Sequence, residues 1–223
     1  MSRIFAGIAA AILAVAAVST AAQAGPVTLT ADLSKNPPAG AATLDFSGAY
    51  DPAHPAQTLH LGDATISFSG GSALFDGSIG GVAAAPYTST GPDKSPYLSA
   101  EPGGAVTIAF AREQKYFGLL WGSVDGYNHL AFYDGTVKVA SFGGADVTKS
   151  ADGNQGFAGT YFVNIDFSGP VTFDRVVATS DSPAFEFDSV TTAAVPEPSA
   201  LVLFASGLAG LGLLYWRRRP DVR

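Results

Sequence analysis

The feature that most constrains this chain is a period-two alternation of apolar and more polar residues that recurs through its interior and gives way to unbroken apolar runs at the two ends. Ala64, Ile66 and Phe68 follow it, as do Val106, Ile108 and Phe110, and again Tyr161, Val163, Ile165 and Phe167, with Asn164 and Asp166 on the opposite face. Successive side chains of a strand point to opposite faces, so this pattern predicts half-buried strands rather than helices. Asp134-Gly135 lies between two such runs and predicts a hairpin closed by a type I′ turn, whose two central residues both need positive φ. Ser168-Gly169-Pro170 separates another pair, and Phe185, Phe187 and Val190 mark a final strand. Many short strands with Gly-rich turns predict an all-β fold, an antiparallel β-sandwich of jelly-roll type. Residues 25–195, 171 in all, suffice for one core that buries roughly 70% of the unfolded chain's surface. Two stretches break the alternation. Residues 32–42 contain Pro37-Pro38, and residues 83–104 hold Pro86, Pro92, Pro96 and Pro102; both read as loops, the second long and exposed.

The chain has Cys 0, which excludes disulfide scaffolds, zinc ribbons, iron–sulfur clusters and thiol nucleophiles. Residues 25–195 carry 17 Asp and Glu against 7 Lys and Arg, a net charge of −10, which leaves little from which to build a nucleic-acid groove. Catalysis is equally poorly supplied. His54, His60 and His129 have no nucleophile motif beside them, and Gly122-Ser123-Val124-Asp125-Gly126 puts serine one position early for a nucleophile elbow and lacks the helix that should follow. The expectation is a protein that is not an enzyme and has no cofactor. A secreted hydrolase, which would need two facing carboxylates, is the less favoured reading.

Candidate ligand residues gather between residues 116 and 135. Trp121, Tyr127 and Tyr133 offer aromatic faces for stacking on sugar C–H groups, with Asp125 and Asn128 to take hydroxyls, so a lectin-like carbohydrate-binding module is the alternative function. Against this, Trp121 ends an apolar run of the kind that a central strand shows. Asp125, Asn128 and Asp134 are oxygen donors that calcium accepts, although Asp and Asn are equally the ordinary turn residues and no EF-hand spacing is present. Asp152-Gly153-Asn154 is a weaker candidate of the same kind.

The ends of the chain carry addresses. Arg3 precedes an apolar run over residues 4–18, and Ala22 and Ala24 then supply small side chains at the −3 and −1 positions of a signal peptidase site. Residues 1–24 therefore read as a signal peptide, with Gly25 starting the mature chain. At the other end, Pro196, Glu197 and Pro198 lead through Ser199, a natural N-cap, into an uncharged run over residues 200–216, closed by Arg217, Arg218 and Arg219. Seventeen helical residues at ~1.5 Å each span about 25 Å, enough for one nearly upright membrane helix. Each arginine in hydrocarbon would cost roughly 2.5–3.5 kcal/mol, so the cluster stays in the cytoplasm. The prolines keep Val195 and Glu197 extended beside the bilayer, where a protease can reach the backbone.

Pro196-Glu197-Pro198, the short apolar helix and the terminal arginines resemble the PEP-CTERM sorting signal of exosortase-dependent bacterial surface proteins. The resemblance implies a Gram-negative exporter of extracellular polysaccharide. It also implies an exosortase that removes the tail over residues 196–223 after the helix has lodged transiently in the inner membrane, with delivery to the cell surface or biofilm matrix. Within residues 116–135, Gly-Ser-Val-Asp-x-Tyr-Asn followed by Phe-Tyr-Asp-Gly is similar to the ectodomain core of one group of these proteins, which implies no particular activity.

Overall fold

Strands form wherever the alternation above has an apolar partner layer to face. The computed structural model describes residues 27–32 and 34–196, with Phe204, residues 206–209 and Leu211 near the C-terminus. In chain order the strands are β1 (Val27–Asp32), β2 (Ala42–Thr43), β3 (Thr58–Leu61), β4 (Ala64–Ser69), β5 (Ala73–Phe75), β6 (Tyr87–Thr88) and β7 (Gly91–Pro92). They continue with β8 (Tyr97–Ala100), β9 (Ala105–Trp121), β10 (Asn128–Asp134), β11 (Val137–Gly143), β12 (Tyr161–Phe167), β13 (Phe173–Ser180) and β14 (Phe185–Ala194). All pairings between these strands are antiparallel. The fold is all-β, as the alternation predicts.

Twelve strands form one hydrogen-bonded network that β9 divides into two layers. Its first half pairs with β4 and β13, giving the order β11-β10-β13-β9-β4-β3. Its second half pairs with β12 and β14, giving β1-β12-β9-β14-β8-β5, with β2 also on β14. The corner is visible in the burial pattern. Val106, Ile108 and Phe110 face inward, Ala111, Arg112 and Glu113 are exposed, and Phe117, Leu119 and Trp121 then face inward on odd numbers. The pairing of β9 with β13 shifts register between Phe173 and Arg175; such an irregularity lets one strand serve two layers.

Rings from both layers meet between them. Phe132 on β10 lies 5.5 Å from Phe117, 6.1 Å from Phe142 and 5.1 Å from both Phe167 and Phe173, with centroids in the range where aromatic pairs attract. Phe173 also touches Phe110 at 5.9 Å and Phe117 at 6.3 Å, so it bridges the two halves of β9.

Three expectations need correction. The β10–β11 hairpin is present, but Asp134 pairs with Val137, so the two-residue loop is Gly135-Thr136 rather than Asp134-Gly135. Gly135 has φ +55° and Thr136 is not among the positive-φ residues, which suits a type II′ turn with glycine at its first central position. Residues 83–104 are not an exposed loop. Residues 83–86 and 96–100 are buried: residues 97–100 are β8 of the second layer itself, and the part of this strap that precedes β8 lies over the layer, with Ala84 bonded to Glu186 and Pro86 beside Gly122. Asn164 is buried rather than solvated, and its Oδ1 accepts a 2.6 Å hydrogen bond from the Tyr116 hydroxyl.

Because Phe132 contacts four rings at the interface between the layers, Phe132→Ala is expected to cost about 3–5 kcal/mol. Val137→Ala, at an exposed position of the neighbouring strand, should stay within about 0.5 kcal/mol. Urea unfolding of the purified proteins measures both, and equal midpoints would refute this account of the core.

Candidate functional site

The densest polar geometry lies where β9 ends, beneath the strap. Phe185 and Phe187 on β14 face the core, so alternation sends Glu186 and Asp188 to the outer face. That face is covered, and Glu186 is only 2% exposed. Its carboxylate is satisfied from two directions: the Ala84 backbone N–H donates to Oε1 at 2.7 Å and the Ser123 hydroxyl to Oε2 at 2.8 Å. Ser123 reaches it from a backbone with φ +37° just past β9. Gly122 supplies the close approach: a Cβ there would lie 3.0 Å from Pro86 Cα of the strap. Its N–H donates to the Glu186 carbonyl at 2.9 Å.

Two residues along, Asp188 holds the strap's other end. The Ser95 hydroxyl lies 3.0 Å from Asp188 Oδ2 and 2.6 Å from Asp93 Oδ1. A hydroxyl has one hydrogen, so it cannot serve two ionised carboxylates at once. Burial raises the Asp188 carboxyl to about 6, and the charge of Asp93 adds to this. Burial pushes the Glu186 carboxyl to about 7, although both donated hydrogen bonds pull it down. A cavity of about 310 Å³ adjoins Glu186, lined also by Ser78, Gly81, Ala84, Gln155 and Pro183.

The residues singled out from the sequence do not assemble into one site. Trp121 is fully buried, with its ring stacked on Phe185 at 4.3 Å, so it presents no face to a sugar. Asn128 is fully buried too, its Oδ1 accepting from the Ser180 hydroxyl at 2.7 Å. Tyr127 is half-buried and donates to the Pro183 carbonyl at 3.1 Å. Tyr133 lies under the Arg175 guanidinium, 4.4 Å from the ring centroid. The calcium set is separated for a simple reason: Asp125 and Asn128 stand at one end of β10 and Asp134 at the other, roughly 20 Å apart at ~3.3 Å per residue. Asp125 instead bridges to Asp152, so two turns read separately in the sequence come together. Its carboxyl is raised by burial first; the Tyr127 hydroxyl lowers it and the Asp152 charge raises it. Among the described residues no group of three or more His, Cys, Asp or Glu is arranged to hold a metal ion.

Sequence reasoning missed Glu186 and Asp188. Their alternation with Phe185 and Phe187 looks like a solvated strand face. The signal that could have found them is the strap itself, where Ala83-Ala84-Ala85 and Tyr97-Leu98 are too apolar for a solvated loop of that length.

The other focus is the end of β14. Val195 donates its N–H to the Glu113 carbonyl at 2.9 Å, and Pro196 follows at once. Glu197, Pro198, Arg217, Arg218 and Arg219 lie outside the described residues, as do Ala22 and Ala24 of the expected signal peptidase site. The expected membrane helix over residues 200–216 also falls largely outside them. Phe204, residues 206–209 and Leu211 are helical, and among the described residues no helix is long and apolar enough to cross a membrane.

The proline pair, apolar run and arginine cluster at the C-terminal end form a sorting signal, which indicates an exported protein, membrane-sorted in a Gram-negative bacterium by an exosortase. The sorting signal is the PEP-CTERM protein-sorting motif, whose family model matches residues 194–219. No curated protein and no solved structure matches this chain.

Both strap carboxyls have folded values above their unfolded ones of 4.5 and 3.8. The native state therefore binds more protons than the unfolded state between those limits, and its stability falls as pH rises. The loss runs from about pH 4 to about pH 6 for Asp188 and from about pH 4.5 to about pH 7 for Glu186. Glu186→Gln, which keeps an acceptor for Ala84 and a partner for Ser123, should flatten the upper part of this slope by an amount on the order of a few kcal/mol. Denaturant midpoints at pH 5 and pH 7.5 check it; an unchanged slope in the variant would contradict the assignment.

Proposed function

We propose that the protein is a non-enzymatic component of the cell surface or extracellular matrix. Signal peptidase removes residues 1–24 during export, the C-terminal segment lodges in the inner membrane, and an exosortase removes the tail and releases residues 25–195 outward. The observation that carries this reading is the overlap of a PEP-CTERM motif with the last strand of a cysteine-free, acidic β-domain. A net charge of −10 over residues 25–195 suits a soluble matrix component and disfavours adhesion to anionic lipid. The non-enzymatic reading is supported by how the strongly displaced carboxyls are used: Glu186 and Asp188 are engaged by backbone and hydroxyl donors that fix the strap. The class of sorting signal supports a link to extracellular polysaccharide. Trp121, once placed in the core, withdraws the main support for a sugar-stacking surface.

Replacing Pro196, Glu197 and Pro198 by alanine is expected to leave the tail attached in a host that possesses the exosortase, where the parent chain loses it. Intact-mass measurement of the surface fraction reads the difference. Retention of the terminal arginines by the parent chain in that host would defeat the proposal.

A further inference from the structure

The motif and the fold share residues. The motif match begins at residue 194, and Ala194 is the last residue of β14, in register with Gln114 of β9. One residue further on, Val195 is still hydrogen-bonded to Glu113. Just before its end the strand is held on both edges: Thr191 and Thr192 pair with Gly118 and Phe117 of β9 on one side and with Thr43 and Ala42 of β2 on the other, and Ala193 and Ala194 continue the pairing with β9. The hydroxyls of Thr43 and Thr191 add a contact of 2.9 Å. Thr191 and Thr192 are buried, so drawing the strand out would expose them and strip both edges.

No flexible spacer therefore separates the domain from the tripeptide. From Val195 to Pro198 the extended chain covers at most about 11 Å, whereas a domain of this length has a radius of gyration of about 15 Å. A partner that grips Pro196, Glu197 and Pro198 necessarily meets the domain surface around the exit. That surface is polar. Asp63, Arg112, Gln114, Thr192 and Pro196 line an open groove of about 430 Å³. Arg112 Nη2 sits 3.1 Å from Asp63 Oδ2, with the arginine side chain more than half exposed. A groove bearing an ion pair fits a hydrated protein surface, since burying it in hydrocarbon would strand the charges.

We propose that the exosortase recognises motif and folded domain together, with the groove at the exit of β14, and Arg112 in particular, seated against a water-facing surface of the enzyme. This rests on the sorting reading above. The connection is stiff, so each contact made by the domain adds to the effective concentration of the tripeptide at the enzyme.

A ten-residue Gly-Ser spacer between Val195 and Pro196 leaves β14 and the Pro196-Glu197-Pro198 tripeptide intact but gives the domain a root-mean-square reach of about 17 Å from the enzyme. In an exosortase-bearing host, pulse-labelling and intact mass follow conversion of the tailed form, and thermal unfolding of the purified chains checks the fold. The spacer chain is expected to convert about tenfold more slowly than the parent. Arg112→Glu should convert several-fold more slowly with a near-parental melting temperature, because the position is exposed. Conversion of the spacer chain at or above the parental rate overturns the inference, and so does parental conversion of Arg112→Glu. The alanine variant of Pro196, Glu197 and Pro198 separates the two readings in the same assay. If it keeps its tail while the spacer chain converts normally, the domain contact is wrong and sorting by the motif stands; if it converts normally itself, the sorting reading has failed.

Discussion

Backbone pairing along β9 is the constraint on which the rest of the structure depends. Its first half belongs to one layer and its second half to the other, so the two sheets are joined covalently through a corner at Ala111, Arg112 and Glu113. Inward-facing positions change from even to odd numbers across that corner. A slip of one residue in either half would turn Phe110 or Phe117 away from the aromatic core. Phe173 guards against this by touching both rings at once, one from each side of the corner.

The second layer is closed on both faces, by the aromatic core within and by the strap without. That closure explains why Leu119, Leu120 and Trp121 are all buried in succession, and why carboxylates at strand positions that look solvated end in a dry environment. Burying a carboxylate is tolerated where donors converge on it. Ala84 and Ser123 meet that need for Glu186, whereas Asp188 shares the single Ser95 hydrogen with Asp93. The acids fix the two ends of the stretch from Ala84 to Ser95, within which the short β6–β7 pair lies.

The strands were legible because their signal is local. Ala64, Ile66 and Phe68, or Val163, Ile165 and Phe167, show their faces within a few residues, and the continuous apolar run from Phe117 to Trp121 announced a strand covered on both sides. The strap was not legible, because prolines and glycines report a break in periodicity and say nothing of what lies beneath it; only the tertiary position of Glu186 and Asp188 does. The candidate ligand residues failed for a related reason. Asp125, Asn128 and Asp134 are close in number, but β10 is extended between them, and nearness in an extended chain is distance in space. The hairpin turn missed by one residue because Asp134 was drawn into the ladder opposite Val137. The sorting tripeptide, by contrast, is a contiguous signal that needs no fold to be read.

The place of β14 in the chain has a consequence for how such a fold is completed. It is the last strand among the described residues, yet it lies inside its sheet, between β9 on one edge and β8 and β2 on the other. A chain made from its N-terminus leaves that edge of β9 without a partner until Ala194 is in place. The second layer therefore stays divided, with β8 and β5 cut off from β9, until the final strand arrives to join them.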